Sequence, residues 1–407
     1  MSVERSQGAN FNPLNNIQGS HPQNLKNAGQ SGSTGASIQG QQCYVDMGKF
    51  YGNNIWGCMD WSQTPGFISA DLLNKGFFGQ FFANLKSEGV NKIDLSFAQM
   101  KDIQNLFMDS LNPPTGSGSS YSATDSFMPI FHTIGTDGRT YNGAPYVVKD
   151  SSGNTVANNF MQYLVQYAHG MGIQVDLSMG GACGAGNDFK LPEDPTTSAN
   201  QLASFMSNMG IDSVDFDIEN SSLFQTNSTN DLNTFFSALH SNLQKEGKEC
   251  TATLMGGSLT DPKFAPLMTN FSQKFDSLNL MLYSNSQYYL NPQNNNIWSG
   301  IESAIKDVGG DPSKIHIGFY DSIPYESSSA NGDGGNYNIK PGSTRGQAAA
   351  QIYQQLLNQL TQDGYLKNGQ TLGEPFFWND TPGDPSSEQV MQDFYNTLSG
   401  KSKTFWS

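Results

Sequence analysis

Ser213-Val-Asp-Phe-Asp-Ile-Glu219 sets three acids, Asp215, Asp217 and Glu219, on alternate positions, with Val214, Phe216 and Ile218 between them and Asp212 just ahead. Such alternation predicts a β-strand with one apolar face and one acidic face. A row of buried carboxylates is costly unless its members share protons or hold a ligand. Phe or Ile would stabilise the strand better, so the acids point to chemistry. This stretch is the candidate catalytic strand.

Outward from it, a strand signal followed by an amphipathic helix recurs along the chain. Further strands are predicted at Cys43–Gly48, Lys92–Ala98, Ile173–Gly180, Cys250–Met255, Leu278–Tyr283, Ile315–Tyr320 and Pro375–Trp378. Helices are predicted at Leu72–Ser87, Asn158–His169, Ala199–Met209, Asp231–Glu246, Pro262–Lys274, Trp298–Val308, Thr344–Gln362 and Ser387–Leu398. Eight such pairs in order predict an α/β fold, a closed (β/α)8 TIM barrel forming one catalytic domain over residues 41–407. Residues 1–40 are rich in Gly, Asn, Gln and Ser and read as a disordered N-terminal arm. Ser198 or Asn200 is the expected cap of the third helix, and Asp231 with Thr234 opens the fourth. Gly172, Gly210, Gly247 and Gly309 stand where helices should stop. The longest insertion, from Met100 to Asn154, follows the second strand and is expected to wall a cleft at the C-terminal mouth.

Charged residues make up 14% of the 407-residue chain, against about 25% in an average globular protein. The net charge of −15 argues against nucleic acid or an anionic membrane as partner. No apolar run is long enough to span a bilayer. Five histidines are scattered and the four cysteines show no CxxC spacing, so neither a metal site nor any other cofactor is expected. A Cys43–Cys58 disulfide and two buried thiols both fit the sequence.

In a barrel, Phe216 and Ile218 turn to the helices and direct Asp215, Asp217 and Glu219 to the axis, with Glu219 nearest the mouth. A ladder of like charges raises the pKa values of its members, which keeps an acid protonated around neutral pH. Asp212-Ser-Val-Asp215-Phe-Asp217-Ile-Glu219 resembles the DxxDxDxE signature of glycoside hydrolase family 18, the chitinases and their relatives. Ser178-Met-Gly180-Gly181 is similar to that family's SxGG motif and Met281-Leu-Tyr283 to its MxY motif. Trp378 corresponds to the tryptophan flooring its central sugar subsite, and Phe97-Ala98 to an aromatic-small pair on the second strand. The resemblance covers roughly residues 43 to 399.

The resemblance implies retaining, substrate-assisted hydrolysis of β-1,4 bonds in chitin or chito-oligosaccharides, an exception to the two-carboxylate scheme. Glu219 would protonate the glycosidic oxygen while the substrate's N-acetyl carbonyl attacks the anomeric carbon. Asp217 would hold the acetamido N–H, Asp215 would share its proton, and Tyr283 would donate to the acetamide oxygen. Trp378 would stack under the sugar, Met281 and Phe97 would line the subsite, and Ser178 would hydrogen-bond the ladder. Ser213 and Ser284 depart from the family's usual Gly and Asp. The chain between the seventh and eighth strands is too short for a groove-deepening insertion, which suits endo cleavage.

Other readings stand beside these. The acids could hold a divalent metal, though the neighbouring strand ends offer Ser178, Tyr283 and Trp378 instead of more carboxylates. Tyr283, Phe97 and Trp378 could each be packing, and Ser178-Met-Gly-Gly a plain turn. An endo-β-N-acetylglucosaminidase acting on N-glycans uses the same acetamide chemistry. A chitinase-like sugar-binding protein would bind without cutting, but such relatives usually lose the acid found here at Glu219. Residues 1–40 lack the apolar core of a signal peptide. The expectation is a secreted or extracellular protein delivered by another route, for example as a subunit of a toxin assembly, with a cytoplasmic enzyme as the alternative.

Overall fold

The computed structural model describes residues 38–46, 58–60, 67–111, 133–134, 140–141, 147–181, 189–219, 222–255, 270–281, 283, 295–320, 340, 342–367, 369–379 and 384–400. The expected N-terminal arm lies outside them, apart from residues 38–40. Eight parallel strands close into a barrel: β1 (Gln41–Asp46), β2 (Val90–Ala98), β3 (Gln174–Gly180), β4 (Ser213–Ile218), β5 (Glu249–Met255), β6 (Ser277–Met281), β7 (Ile315–Tyr320) and β8 (Phe376–Asn379). Each strand pairs with its neighbours in sequence, and β1 pairs with both β2 and β8. The expected TIM barrel is therefore present, with every predicted strand within two residues of its place.

β4 shows why the chain folds this way. Phe216 turns outward and meets the rings of Phe235 and Phe236 edge-on, with centroids 6.0 and 5.0 Å apart. Both belong to the helix Thr229–Lys245, whose Leu232, Leu239 and Leu243 are also buried. The alternate residues Asp215 and Asp217 are left to the axis, and both are buried. Burial of the outer, apolar faces is the main stabilising term.

Helix ends differ from expectation in three places. The third predicted helix spans Pro195–Met209, and its cap is Asp194, whose carboxylate accepts from the N–H groups of Thr196 and Thr197. Ser198 and Asn200 thus lie inside the helix. Pro195 at its first position lacks only a donor that would be unsatisfied there anyway. The predicted helix Leu72–Ser87 is two helices, Ala70–Lys75 and Phe77–Ser87, divided at Gly76. The fourth begins after Ser228, which caps Asp231. Gly210 caps its helix with φ +80°, as expected of a glycine at a helix end. Only the tail of the predicted helix Pro262–Lys274 is described, and Ser272–Lys274 there is a 3-10 turn.

The insertion after β2 carries the helix Ile103–Leu111 and two short strands, Thr133–Ile134 and Thr140–Tyr141. A small sheet joins Met59–Asp60, Phe67–Ser69, Val148–Lys149 and Thr155–Ala157. Two of its strands lead into the helices beginning at Ala70 and Phe160. Helices run back against the strands in this fold, so that sheet borders the C-terminal mouth. Cys43 and Cys58 are buried thiols rather than the ends of a disulfide, and Cys43 Sγ lies 3.7 Å from the Tyr44 carbonyl. Among the described residues no helix is long and apolar enough to cross a membrane.

Candidate active site

The acidic strand is stepped along the barrel axis. Asp215 is wholly buried, Asp217 is 3% exposed, and Glu219, one residue beyond β4, is half-buried. Asp215 is held by four donors. Ser178 Oγ on β3 donates to Oδ2 at 3.2 Å, and Thr251 and Thr253 on β5 donate to Oδ1 at 2.8 and 2.9 Å. Asn279 Nδ2 on β6 lies 3.3 Å from the same oxygen.

A second tier orders these donors. Tyr44 on β1 meets Thr253 Oγ1 at 2.6 Å, and Asn279 Nδ2 reaches Tyr44 Oη at 2.8 Å. The Thr253 proton goes to Asp215, so Tyr44 must be the donor to Thr253 and Asn279 the donor to Tyr44. Burial and the charge of Asp215 push the Tyr44 hydroxyl well up, which keeps it a phenol.

The carboxyls themselves hold protons tightly. Burial and the charge of Asp176 raise Asp215 to about 7 against the pull of its threonine and serine donors. Burial, then Glu219, then Asp215 push Asp217 well above the usual carboxylate range. Asp217 Oδ1 is buried without a hydrogen-bond partner. A deep carboxyl with an unpartnered oxygen, next to a half-exposed acid, can take a proton from one side and hold a substrate donor on the other.

Two glycines, the last residue of β3 and the one after it, let β3 approach β4 here. Gly181 N donates to the Asp217 carbonyl at 3.1 Å. A Cβ on Gly180, whose φ is +120°, would fall 2.3 Å from that oxygen, and one on Gly181 would strike the Phe97 ring at 2.9 Å. Gln99 Nε2 secures the turn by donating to the Gly180 carbonyl at 3.2 Å.

The remaining sequence-predicted residues gather at the same end. Trp378 on β8 stacks with Phe97 on β2. Met281, 7% exposed, packs with Tyr44 and Phe376, and half-buried Tyr283 and Trp378 rest on that cluster. Tyr283 also stacks on Tyr320 of β7, with centroids 5.9 Å apart. Asp212, first acid of the motif, stands apart: its Oδ2 meets His169 Nε2 at 2.7 Å and accepts from Val175 N at 2.8 Å. It ties β4 to β3 and stays outside the ladder.

Tyr44, Thr251, Thr253, Asn279 and Tyr320 were not anticipated. A signal existed for the threonines, because Thr251-Ala-Thr253-Leu repeats on β5 the polar-apolar alternation of β4. Among the described residues no group of His, Cys, Asp or Glu is arranged to hold a metal ion.

The sequence profile of the glycosyl hydrolases family 18 matches residues 61–397. Among solved structures, a family 18 chitinase from Pseudoalteromonas aurantia is 19% identical, with a TM-score of 0.46 over 77% of this chain and 95% of that one. The chitinase ChiB of Flavobacterium johnsoniae is 15% identical, with a TM-score of 0.44 over 89% of this chain and 96% of that one. The chitinase ChiA74 from Bacillus thuringiensis is 12% identical, with a TM-score of 0.50 over 89% of this chain and 70% of that one. At 12% identity the likeness to ChiA74 is one of fold alone. No curated protein sequence matches the chain.

Proposed function

The chain belongs to family 18 of the glycosyl hydrolases, and from that premise we propose that it cuts β-1,4 bonds within chitin or N-acetylglucosamine oligosaccharides, with retention at the anomeric carbon. The observation that carries this reading is the Asp217 carboxyl, buried between Asp215 and Glu219 with one oxygen unpartnered. A substrate acetamide N–H is the donor that oxygen lacks.

Glu219 protonates the departing glycosidic oxygen, and the substrate's acetamide oxygen attacks the anomeric carbon from the other side. Asp217 orients the acetamide and, by taking up negative charge, stabilises the oxazolinium ion that forms. Asp215 shares its proton with Asp217, and its four donors accommodate the change in charge. Tyr283 steadies the acetamide oxygen and Trp378 supports the sugar ring. Water then opens the oxazolinium, with Glu219 acting as base. The short chain between β7 and β8 favours an open cleft and internal cleavage.

Glu219→Gln keeps the shape of the side chain and removes the acid. Its kcat on chitotetraose should fall by about a thousandfold or more with binding retained. Substantial turnover by that variant would overturn the assignment. Digestion of an N-glycosylated protein alongside chitotetraose separates the chitinase from an endo-β-N-acetylglucosaminidase. Binding with no product from either substrate would mark a sugar-binding protein.

A further inference from the structure

Below the acidic ladder the barrel holds a second set of charges that the proposed reaction leaves unused. Asp94 on β2 and Asp176 on β3 are partners in register, and both are wholly buried. Adjacent strands lie about 4.8 Å apart, which brings the two carboxyls within reach of each other. None of their four oxygens has a hydrogen-bond partner. Lys92, two residues before Asp94, sets its Nζ 3.6 Å from Asp176 Oδ2 and 3.6 Å from Glu249 Oε2. Burial works against the charge on Lys92, but Asp176, Asp94, Glu249 and Asp215 outweigh it and keep the ammonium protonated.

Inside the barrel, then, one ammonium faces two buried carboxyls. Charge at that depth is tolerated only when it is paired and hydrogen-bonded. A proton resolves both shortfalls, because it removes one charge and turns one carboxyl into a donor for the other. Asp94 is its seat: burial and the charge of Asp176 push that carboxyl well above its ordinary range, against the pull of Lys92. The layer also sits where it can be felt by the ladder. Asp176 is in register with Ser213, and Ser178, two residues on, with Asp215.

We infer that Asp94 is a carboxylic acid donating to the Asp176 carboxylate, and that this pair, with Lys92, is a positioning layer that fixes the pH at which the Asp215–Asp217–Glu219 ladder ionises. The negative end, Asp176, lies one step below Asp215. The positive end, Lys92, lies toward the strand N-termini. Tyr44 on β1, Asp215 on β4, Glu249 and Cys250 on β5 and His316 on β7 are the other titratable groups around the layer. Below the layer, Lys92, Glu249, His316 and Glu374 line a cavity of about 460 Å³ at the strand N-termini. The kinetic part of this inference rests on the proposed hydrolysis, and its structural part does not.

The test is Asp94→Asn in the full chain. Asparagine is already the neutral donor that the acid is inferred to be, so the pH profile of kcat/KM on chitotetraose should stay where it is. Infrared difference spectra at neutral pH should show one protonated carboxyl fewer than in the unmodified protein. Asp94→Asn/Asp176→Asn removes the negative end, and the profile should then move to acid by about one pH unit. An acid shift in Asp94→Asn alone, or an unchanged number of protonated carboxyls, would overturn the inference. Should the double variant not fold, the two measurements on Asp94→Asn decide. Should the unmodified chain cut none of these substrates, the functional reading falls and the infrared result still decides the shared proton.

Discussion

Phe97 and Trp378 stack with centroids 5.3 Å apart and planes at 21°, although β1 stands between their strands. Tyr44 on β1 adds a tilted contact to Trp378 at 6.4 Å. Trp378 is thereby held by rings on two other strands, and a ring already fixed would lose little freedom on binding the proposed sugar. Trp378→Ala should raise KM for chito-oligosaccharides by about tenfold, more than it lowers kcat. Steady-state kinetics with Trp378→Phe as the intermediate case checks this, and an unchanged KM would remove Trp378 from the sugar site.

Gly180 has no room for a side chain, as its missing Cβ would press on the Asp217 carbonyl and on the Phe189 ring. The nearest obstacle is backbone rather than a flexible side-chain end, and the position has a positive φ that side chains avoid. Gly180→Ala should cost about 2–4 kcal/mol of stability and displace Asp217. Thermal denaturation and the residual kcat together report both effects. A variant with full stability and activity would show that this approach is not required.

Thr251 steadies the ionised form of Asp215, which stands at about 7 because burial and Asp176 prevail over the hydroxyl donors. Thr251→Val keeps the volume and deletes one donor, so Asp215 should hold its proton to higher pH. The pH profile of kcat/KM should move to alkali by up to about one unit. A shift in the opposite direction would contradict the network as drawn.

Glu88 follows the helix Phe77–Ser87, and burial together with Glu388 lifts its carboxyl to about 8 from 4.5. The folded protein therefore binds this proton more tightly than the unfolded chain does. The stability it supplies is complete below the unfolded value and is lost as pH rises through the folded one. Glu88→Gln mimics the protonated acid without titrating. Its Tm should match the unmodified protein at about pH 4 and exceed it at about pH 9. Equal pH dependence in the two proteins would refute the assignment.

The barrel was legible because period-two and period-3.6 patterns alternate cleanly, and β4 advertised its acids by setting them against Val214, Phe216 and Ile218. The start of the helix at Pro195 was not, since its first turn, Pro-Thr-Thr-Ser, carries no apolar stripe and only Asp194 marks it. The polar axis was harder still. Lys92 and Asp94, Asp176, and Thr251 and Thr253 each look like ordinary polar positions on a half-solvated strand. Their meaning lies in register between strands, which local periodicity does not contain. Asp212 illustrates the converse: it shares the motif with the ladder yet faces His169 and the β3 backbone.

Tyr44 meets Thr253 and Asn279 across gaps of 209 and 235 residues in the chain. A polypeptide cut between β4 and β5 would keep Asp215 and Ser178 in one piece and leave three of the four donors, Thr251, Thr253 and Asn279, in the other. Neither half would own an acid of the right strength, whatever structure it kept. The strength of the acid at Asp215 is thus a possession of the closed ring as a whole, and a growing chain acquires it only when β5 and β6 have joined the strands already made.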